Sequence, residues 1–146
     1  MTTAAPFSHP IRIYWEDTDA GGIVFYANYL KFFERARTEW LRSLGVEQQS
    51  LREQSGGIFV VTEARIRYLQ SARLDDELIV TATLTEKGRA SLTIHQQALL
   101  KSKHSPDGSQ SGAAVLLSEG TIRIGWVQAD TMRPTRIPSS LLEKLP

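Results

Sequence analysis

The sequence predicts an α+β domain in which one long helix precedes a run of antiparallel strands. Residues 27–44 carry apolar side chains at helical spacing, and four later segments are alternating or rich in β-branched residues. A short strand pattern precedes the helix. The chain has 146 residues, of which 41% are hydrophobic and 23% charged, a composition typical of globular proteins. We therefore expect residues 1–146 to form one domain.

The first strand is expected to begin at Ile11, where apolar and polar residues alternate. One face would carry Ile11, Ile13 and Trp15, and the other Arg12, Tyr14 and Glu16. The acid- and glycine-rich residues 16–22 then end the strand.

The long helix is expected over residues 27–44, about 27 Å at 1.5 Å per residue. Its apolar stripe comprises Tyr29, Phe33, Ala36, Trp40 and Leu44, widened by Leu30, Phe32 and Leu41. We expect the aromatic residues of this stripe to lie in the core, and Gly45 to end the helix.

Four strands are expected at 57–69, 77–86, 90–101 and 113–127, joined as sequential antiparallel neighbours. Residues 105–112 have loop composition and are expected to be mobile, and the proline-containing tail is expected to form a short helix at best. A single sheet of this kind leaves an edge open, which favours pairing of two chains.

Composition argues against several classes of function. The net charge of +1 gives no basis for binding nucleic acid or an anionic membrane surface. Cysteine is absent, which excludes disulfides, thiolate metal sites and a cysteine nucleophile. The amino-terminal residues do not resemble a signal peptide, and no apolar run is long enough to span a membrane, so we expect a cytoplasmic protein.

The segment "YWEDTDAGGIVFYANYLKFFERAR", residues 14–37, allows three interpretations. It could be a surface turn, since Asp, Thr and Gly are common in turns and before helices. It could be a calcium loop, but Asn28 stands where the bidentate glutamate should be, and a strand precedes it. It could be an active site, because a carboxylate beside an apolar segment is costly unless it is paired or used.

Other catalytic or metal-binding patterns find little support. The three histidines, His9, His95 and His104, lack ligand-spaced partners, and His95 is expected to be a solvent- or network-facing strand residue. Nucleophile-elbow, phosphate-loop and dinucleotide patterns are also missing from the sequence. We therefore predict no metal site and no cofactor.

The residues "YWEDTDAGGIVFYANYLKFFERARTEWLR" resemble the hotdog-fold acyl-CoA thioesterases of the 4-hydroxybenzoyl-CoA thioesterase type. They are most similar to the branch associated with the bacterial Tol-Pal system. The resemblance continues through "IRYLQSARLDDEL" and "RPTRIPSSL", so that it covers about residues 11–142. It implies a hotdog fold, in which a five-stranded antiparallel sheet wraps a long central helix. It also implies active sites at a dimer interface, with dimers commonly pairing into tetramers.

The resemblance further implies that the protein hydrolyses acyl-CoA thioesters. The catalytic carboxylate of the family falls on Asp19, and a backbone N–H that polarises the thioester carbonyl falls at about Tyr26. Asp17 is expected to cap or support the site and is a possible helper. Gly22 would let the chain bend towards the substrate, and Tyr14 could line the site.

Two positions bear on the substrate. Tyr26 stands where Tol-Pal-associated relatives usually carry histidine, whereas the hydroxybenzoyl type has tyrosine there. Arg89 matches a position at which the hydroxybenzoyl type places a CoA-contacting arginine, with Lys87 as a looser candidate. Arg89 and Lys87 are equally compatible with being solvated residues at the tip of a hairpin.

A non-catalytic alternative is a homodimeric or homotetrameric scaffold, linked to the cell envelope, that binds acyl-CoA or an acyl-carrier protein. Asp19 favours catalysis, because such a binder has no use for a carboxylate beside the thioester. A dehydratase of the same fold is a weaker third hypothesis, since the helix carries no histidine.

Overall fold

The computed structural model describes residues 6–101 and 114–146. Within them, one five-stranded antiparallel sheet packs against one long helix, as the sequence predicted. The elements in chain order are β1 (Phe7–Arg12), a 3-10 turn (Trp15–Asp17), α1 (Asn28–Ser43), α2 (Gln48–Ser55), β2 (Gly57–Tyr68), β3 (Glu77–Lys87), β4 (Ser91–Leu100), β5 (Val115–Gln128) and α3 (Ser139–Leu142).

The order of strands across the sheet is β1-β3-β4-β5-β2. Strands β3, β4 and β5 are sequential neighbours as predicted, but β2 pairs with β5 rather than with β3, so the prediction for β2 was wrong. Residues 69–76 connect β2, at one edge of the sheet, to β3, which lies next to the opposite edge strand β1. Consequently β2, twelve residues long and without proline, forms one edge of the sheet.

Helix α1 begins at Asn28 and ends at Ser43, close to the predicted limits. Its end has the hydrogen bonds of a Schellman motif: Gly45 N–H donates to Arg42 O at 3.0 Å, and Val46 N–H donates to Leu41 O at 2.9 Å. Gly45 has φ +85°, a conformation that favours glycine. The prediction that Gly45 ends the helix is therefore confirmed.

The aromatic stripe of α1 forms the centre of the core, as predicted. Its buried residues include Tyr29, Phe32, Phe33, Ala36, Trp40 and Leu41. Leu30 was predicted to belong to this stripe, but 43% of it is exposed. Leu30 is therefore not part of the buried stripe.

Helix α2 was not predicted. Its sequence, QQSLREQS, has one large apolar residue and buries none of its residues, so it lacks the stripe by which an amphipathic helix is found. Gly56, with φ +74°, ends this helix and leads directly into β2.

Two predicted elements and His104 fall wholly or partly outside the described residues. The loop at 105–112 and His104 lie there, as does the start of the strand predicted at 113; the described strand β5 begins at Val115. None of the helices in the described part of the chain is long and apolar enough to cross a membrane.

Gly57, the first residue of β2, packs directly on the indole of Trp126. A Cβ added at this glycine would lie 2.1 Å from Cζ2 of Trp126, far inside van der Waals contact. We expect Gly57→Ala to lower the free energy of unfolding by about 1–3 kcal/mol, because the buried indole must shift. Urea denaturation measures the change. Arg52→Ala, at an exposed position of α2, is the control and should leave the midpoint nearly unchanged.

Candidate active site

The chain turns sharply after β1. Trp15 was predicted to continue the first strand with its side chain inwards, but it lies in the 3-10 turn and is 78% exposed. The cause is local: the Asp17 carboxylate accepts a hydrogen bond from Tyr14 N–H at 2.9 Å, and Asp17 N–H donates to Tyr14 O at 3.0 Å. These bonds compete with strand pairing and end the extended pattern.

Asp17 connects this turn to the start of α1. Its side chain is buried, and its backbone oxygen accepts hydrogen bonds from Asn28 Nδ2 at 2.8 Å and from Phe25 N–H at 3.1 Å. Together with the bond from Tyr14 N–H, these contacts fix the loop against the helix. The hydrogen bonds of Asp17 thus hold the backbone between the turn and the helix, and its predicted role at the site stays a prediction.

Asp19 lies in the tight turn that follows. Its backbone pairs with Ile23, its carbonyl oxygen accepts from Gly22 N–H at 3.0 Å, and its Oδ1 accepts from Gly21 N–H at 2.8 Å. Gly22 has φ +80°, so the turn requires the conformational freedom of glycine at this residue. The carboxylate is exposed on the single chain, with its orientation fixed by Gly21.

Asp19 borders a cavity of about 220 Å³ at the start of α1. The other lining residues are Ile23, Val24, Tyr26, Tyr29, Tyr68, Leu69, Gln70 and Ser71. The cavity therefore joins the acid-glycine turn, the beginning of the helix and the end of β2. Gly22 belongs to this turn, and Tyr14 and Asp17 precede it, but none of the three lines the cavity, so their predicted contacts with substrate stay predictions.

The start of α1 leaves two backbone donors unused. Hydrogen bonding of the helical type begins with Asn28 N–H, which donates to Phe25 O at 2.9 Å. Within the described residues, neither Tyr26 N–H nor Ala27 N–H donates to any acceptor. Such amide groups lie at the positive end of the helix dipole and are suited to an anionic oxygen.

Aromatic rings form the wall of the cavity. Tyr26 packs against Phe25 and Tyr68, at ring-centroid distances of 5.0 and 5.7 Å, and Tyr68 also packs against Tyr29 at 5.7 Å. The Tyr29 hydroxyl accepts a hydrogen bond from Ala72 N–H at 3.1 Å. Burial raises the pKa of the Tyr29 phenol, as it does for Tyr68, so both remain neutral around neutral pH.

Tyr29 and Tyr68 were not predicted to belong to the site. Tyr29 was placed in the core by its helical spacing, and it is indeed buried. Tyr68 was predicted only to lie in a strand. Its position beside Tyr26 follows from the order of the strands in the sheet, which the sequence pattern does not specify. No sequence signal marks either residue as part of the cavity.

Arg89 is not near this cavity in the same chain. The cavity lies at the Glu77 end of β3, where Arg12 pairs with Glu77, whereas Arg89 lies in the turn beyond Lys87. At about 3.3 Å per residue, β3 alone separates these ends by roughly 33 Å. The turn is held by a hydrogen bond from Ile137 N–H to Arg89 O at 2.8 Å, and the Arg89 side chain is exposed.

The described residues contain no group of three or more histidine, aspartate or glutamate side chains that could hold a metal ion. His95 lies on the outer face of the sheet with its Nε2 3.8 Å from a Glu119 carboxylate oxygen, which confirms its prediction as a network-facing strand residue.

Comparison with known proteins places this geometry in a family. The family model described as "Thioesterase-like superfamily" matches residues 13–145, nearly the whole chain. The chain belongs to the thioesterase-like superfamily. Its sheet and central helix form the hotdog fold, as the resemblance in the sequence implied.

Relatives within this superfamily are similar over most of their length. The acyl-CoA thioesterase YbgC of Haemophilus influenzae is 38% identical, over 92% of this chain and 90% of the relative. The acyl-CoA thioesterase YbgC of Helicobacter pylori is 31% identical, over 92% of this chain and 96% of the relative. A crystal structure of a variant 4-hydroxybenzoyl-CoA thioesterase, in complex with 4-hydroxybenzoyl-CoA, has the same fold. Its TM-score is 0.84 at 18% identity, covering 98% of this chain and all of that one.

Proposed function

We propose that this protein hydrolyses acyl-CoA thioesters to a carboxylic acid and free CoA. The observation that carries the proposal is one cavity that is bordered by a carboxylate and by the start of α1, where the amide groups of Tyr26 and Ala27, just before the helix, are unused. Thioester hydrolysis needs these two elements: a group that activates the nucleophile, and donors for the carbonyl oxygen. The names of the relatives agree with this chemistry.

In the proposed reaction the thioester carbonyl oxygen accepts hydrogen bonds from Tyr26 N–H and from Ala27 N–H. Negative charge develops on this oxygen as the carbonyl carbon is attacked. Losing one such donor typically costs about 3 kcal/mol of transition-state stabilisation. The positive end of the α1 dipole adds to the same effect.

Asp19 supplies the other half of the reaction by one of two routes. As general base it takes a proton from water while the water oxygen bonds to the carbonyl carbon, and the C–S bond then breaks. The CoA thiolate finally takes up the proton. As nucleophile, Asp19 forms an anhydride with the acyl group and releases CoA thiolate, and water then hydrolyses the anhydride.

The active form is proposed to be at least a homodimer in which the β2 edges of two copies pair, with a homotetramer as the further prediction. Several large apolar side chains exposed on the single chain lie on or just after β2 or near the start of α1: Phe25, Tyr26, Leu30, Val61, Tyr68 and Leu69. A long exposed edge strand flanked by apolar side chains is a template for pairing with another chain.

This dimer would also explain how Arg89 could contribute to binding. In an antiparallel β2–β2 pair, the Gly57 end of one strand lies beside the Tyr68 end of the other. The turn that carries Arg89 is at the Gly57 end of the sheet, so it would face the catalytic cavity of the second copy. Arg89 could then contact CoA phosphates there, although it is remote from the cavity of its own chain.

Arg89→Glu is expected to raise KM for CoA esters about tenfold or more, with little change in kcat. A phosphate contact far from the thioester supplies binding that is equal in the ground and transition states. Hydrolysis of truncated pantetheine thioesters, which lack those phosphates, should be nearly unchanged. Steady-state kinetics on both substrates tests this, and an equal loss on both would show that Arg89 is structural.

The proposal as a whole is tested with a panel of acyl-CoA esters and a reagent that detects free thiol. Release of CoA by the parent protein is expected for at least one ester. Acyl-carrier-protein thioesters belong in the same panel, since they present the same thioester group on a protein. Because the proposed substrate is acyl-CoA, the proposed location is the cytoplasm.

A further inference from the structure

Asn28, the first residue of α1, makes a hydrogen bond that does not serve the helix itself. Its side-chain Nδ2 donates to Asp17 O at 2.8 Å, in the turn that follows β1. Polar side chains at the start of a helix usually accept hydrogen bonds from N–H groups of the first turn. Asn28 instead donates, and to a residue outside the helix, so this bond does not cap α1.

Asp17 O holds the chain at two points. Besides the bond from Asn28 Nδ2, it accepts one from Phe25 N–H at 3.1 Å. Tyr26 and Ala27, whose N–H groups donate to no acceptor within the described residues, lie between these two points. Asn28 N–H also donates to Phe25 O at 2.9 Å, which closes the segment as a turn. The two unused amide groups therefore belong to a short segment that is fixed at both ends.

Asp17 is also part of the small hairpin that carries Asp19. In this hairpin Asp19 N–H donates to Ile23 O at 2.9 Å, and the bond from Phe25 N–H to Asp17 O continues the antiparallel pairing. The Asp19 carboxylate extends from one arm, and the other arm leads into α1. Asn28 joins the helix to the first arm. The result is a closed frame that carries the carboxylate on one arm and the two unused amide groups on the other.

This way of holding the helix start leaves both amide groups free. In a capping box, a glutamate or glutamine at the third helical position accepts a hydrogen bond from the N–H of the residue before the helix. That residue is Ala27, and the third helical position holds Leu30, which cannot accept. Asn28 holds the segment by donating, so it does not occupy the amide groups either.

We propose that Asn28 is a positioning residue for hydrolysis: through Asp17 O, it fixes the amide groups of Tyr26 and Ala27 relative to the Asp19 carboxylate. This inference rests on the proposed function, in which both groups must reach one thioester carbonyl at the same time. Without the side-chain bond, the start of α1 is tied to Asp17 only through the preceding residues of the chain. The peptide groups between them are then free to rotate.

Asn28→Ala is expected to lower kcat about ten- to a hundredfold, because misplacement by about 1 Å can cost 10²-fold in rate. KM should change little, since Asn28 does not line the cavity. The variant should fold, because alanine favours the helix and Asp17 O keeps its bond from Phe25 N–H. Asn28→Leu, which has nearly the size of asparagine but no donor, should show the same loss and serves if Asn28→Ala does not fold.

Gln48→Ala is the matched control. Gln48 is likewise the first residue of a helix, α2, and its Nε2 donates to Thr38 Oγ1 at 3.3 Å, with neither residue in the lining of the catalytic cavity. This variant should keep the parental kcat. An equal loss in Gln48→Ala and Asn28→Ala would show that the hydrogen bond acts only through general stability. Parental kcat in Asn28→Ala would overturn the inference directly.

Nuclear magnetic resonance tests the inference without hydrolysis. The probe is a ketone analogue of acyl-CoA, in which a methylene group replaces the thioester sulfur and the carbonyl carbon is ¹³C. In the parent protein its resonance should move downfield on binding, because hydrogen bonds polarise the carbonyl group. The displacement should be smaller in Asn28→Ala and parental in Gln48→Ala. Equal displacements in Asn28→Ala and the parent protein would overturn the inference.

The two experiments separate failure of this inference from failure of the proposed function. If the parent protein hydrolyses no ester, the proposed function fails, and the resonance of the bound analogue still decides the role of Asn28. If hydrolysis requires Asp19 but Asn28→Ala keeps the parental kcat and the parental resonance, only the Asn28 inference is overturned. A resonance that does not move in the parent protein would overturn both this inference and the proposed role of the two amide groups.

Discussion

Replacing Asp19 by Asn is expected to lower kcat for acyl-CoA hydrolysis by about 10²-fold or more. The amide removes both the general base and the nucleophile, whichever route operates. It keeps a side-chain oxygen that can accept the hydrogen bond from Gly21 N–H, so the turn should be preserved. KM should change little, since the helix-start amide groups and the contacts to CoA remain. Single-turnover and steady-state assays of thiol release measure both quantities.

Asp17→Asn is the control for this substitution. Asp17 is the acid two residues before Asp19, but its carboxylate accepts a hydrogen bond from Tyr14 N–H. We expect it to lower kcat far less than Asp19→Asn, with some loss of thermal stability. Parental rates in Asp19→Asn would refute the assignment of Asp19. If neither parent nor variant hydrolyses any acyl-CoA ester while both bind it, the protein is a non-catalytic scaffold.

The long helix and its end could be predicted from sequence because the information is local. The stripe that includes Phe33, Ala36 and Trp40 recurs every three or four residues, and Gly45 provides the positive φ that ends the helix. The position of Asp19 beside the start of the helix could also be predicted, because the turn and the helix are adjacent in the chain.

The remaining features depend on contacts between distant segments. The pairing of β2 with β5 brings Tyr68 to Tyr26, and the strand pattern of either segment alone does not specify this partner. The length of β3 places Arg89 at the far end of the sheet from Asp19, so within one chain the two residues do not share a site. Trp15 was misassigned because the hydrogen bond between Tyr14 and Asp17 interrupts an otherwise regular alternation.

Val61→Lys is expected to convert the proposed dimer into monomers and to lower kcat/KM about 10²-fold or more. Val61 lies on β2, is 52% exposed on the single chain, and pairs with Ile124 of β5 on the face towards α1. A lysine there adds a charge to an apolar interface but fills no buried space in the monomer, so folding should be retained. Losing the partner would remove Arg89 from the site and loosen the cavity, and misplacement by about 1 Å can cost 10²-fold in rate.

Sedimentation velocity together with the thiol assay measures both effects on the same samples. Thr121→Lys is the matched control: it adds the same charge at an exposed position of β5, an interior strand that pairs with β2 at Arg65 but does not itself form the open edge. It should leave both assembly and activity at parental values. A Val61→Lys protein that is monomeric yet fully active would show that catalysis does not require the dimer. It would refute the proposal that the second copy contributes to the site. A Val61→Lys protein that remains dimeric would show that the interface is not on β2. In that case the dimer would not bring Arg89 close to the substrate.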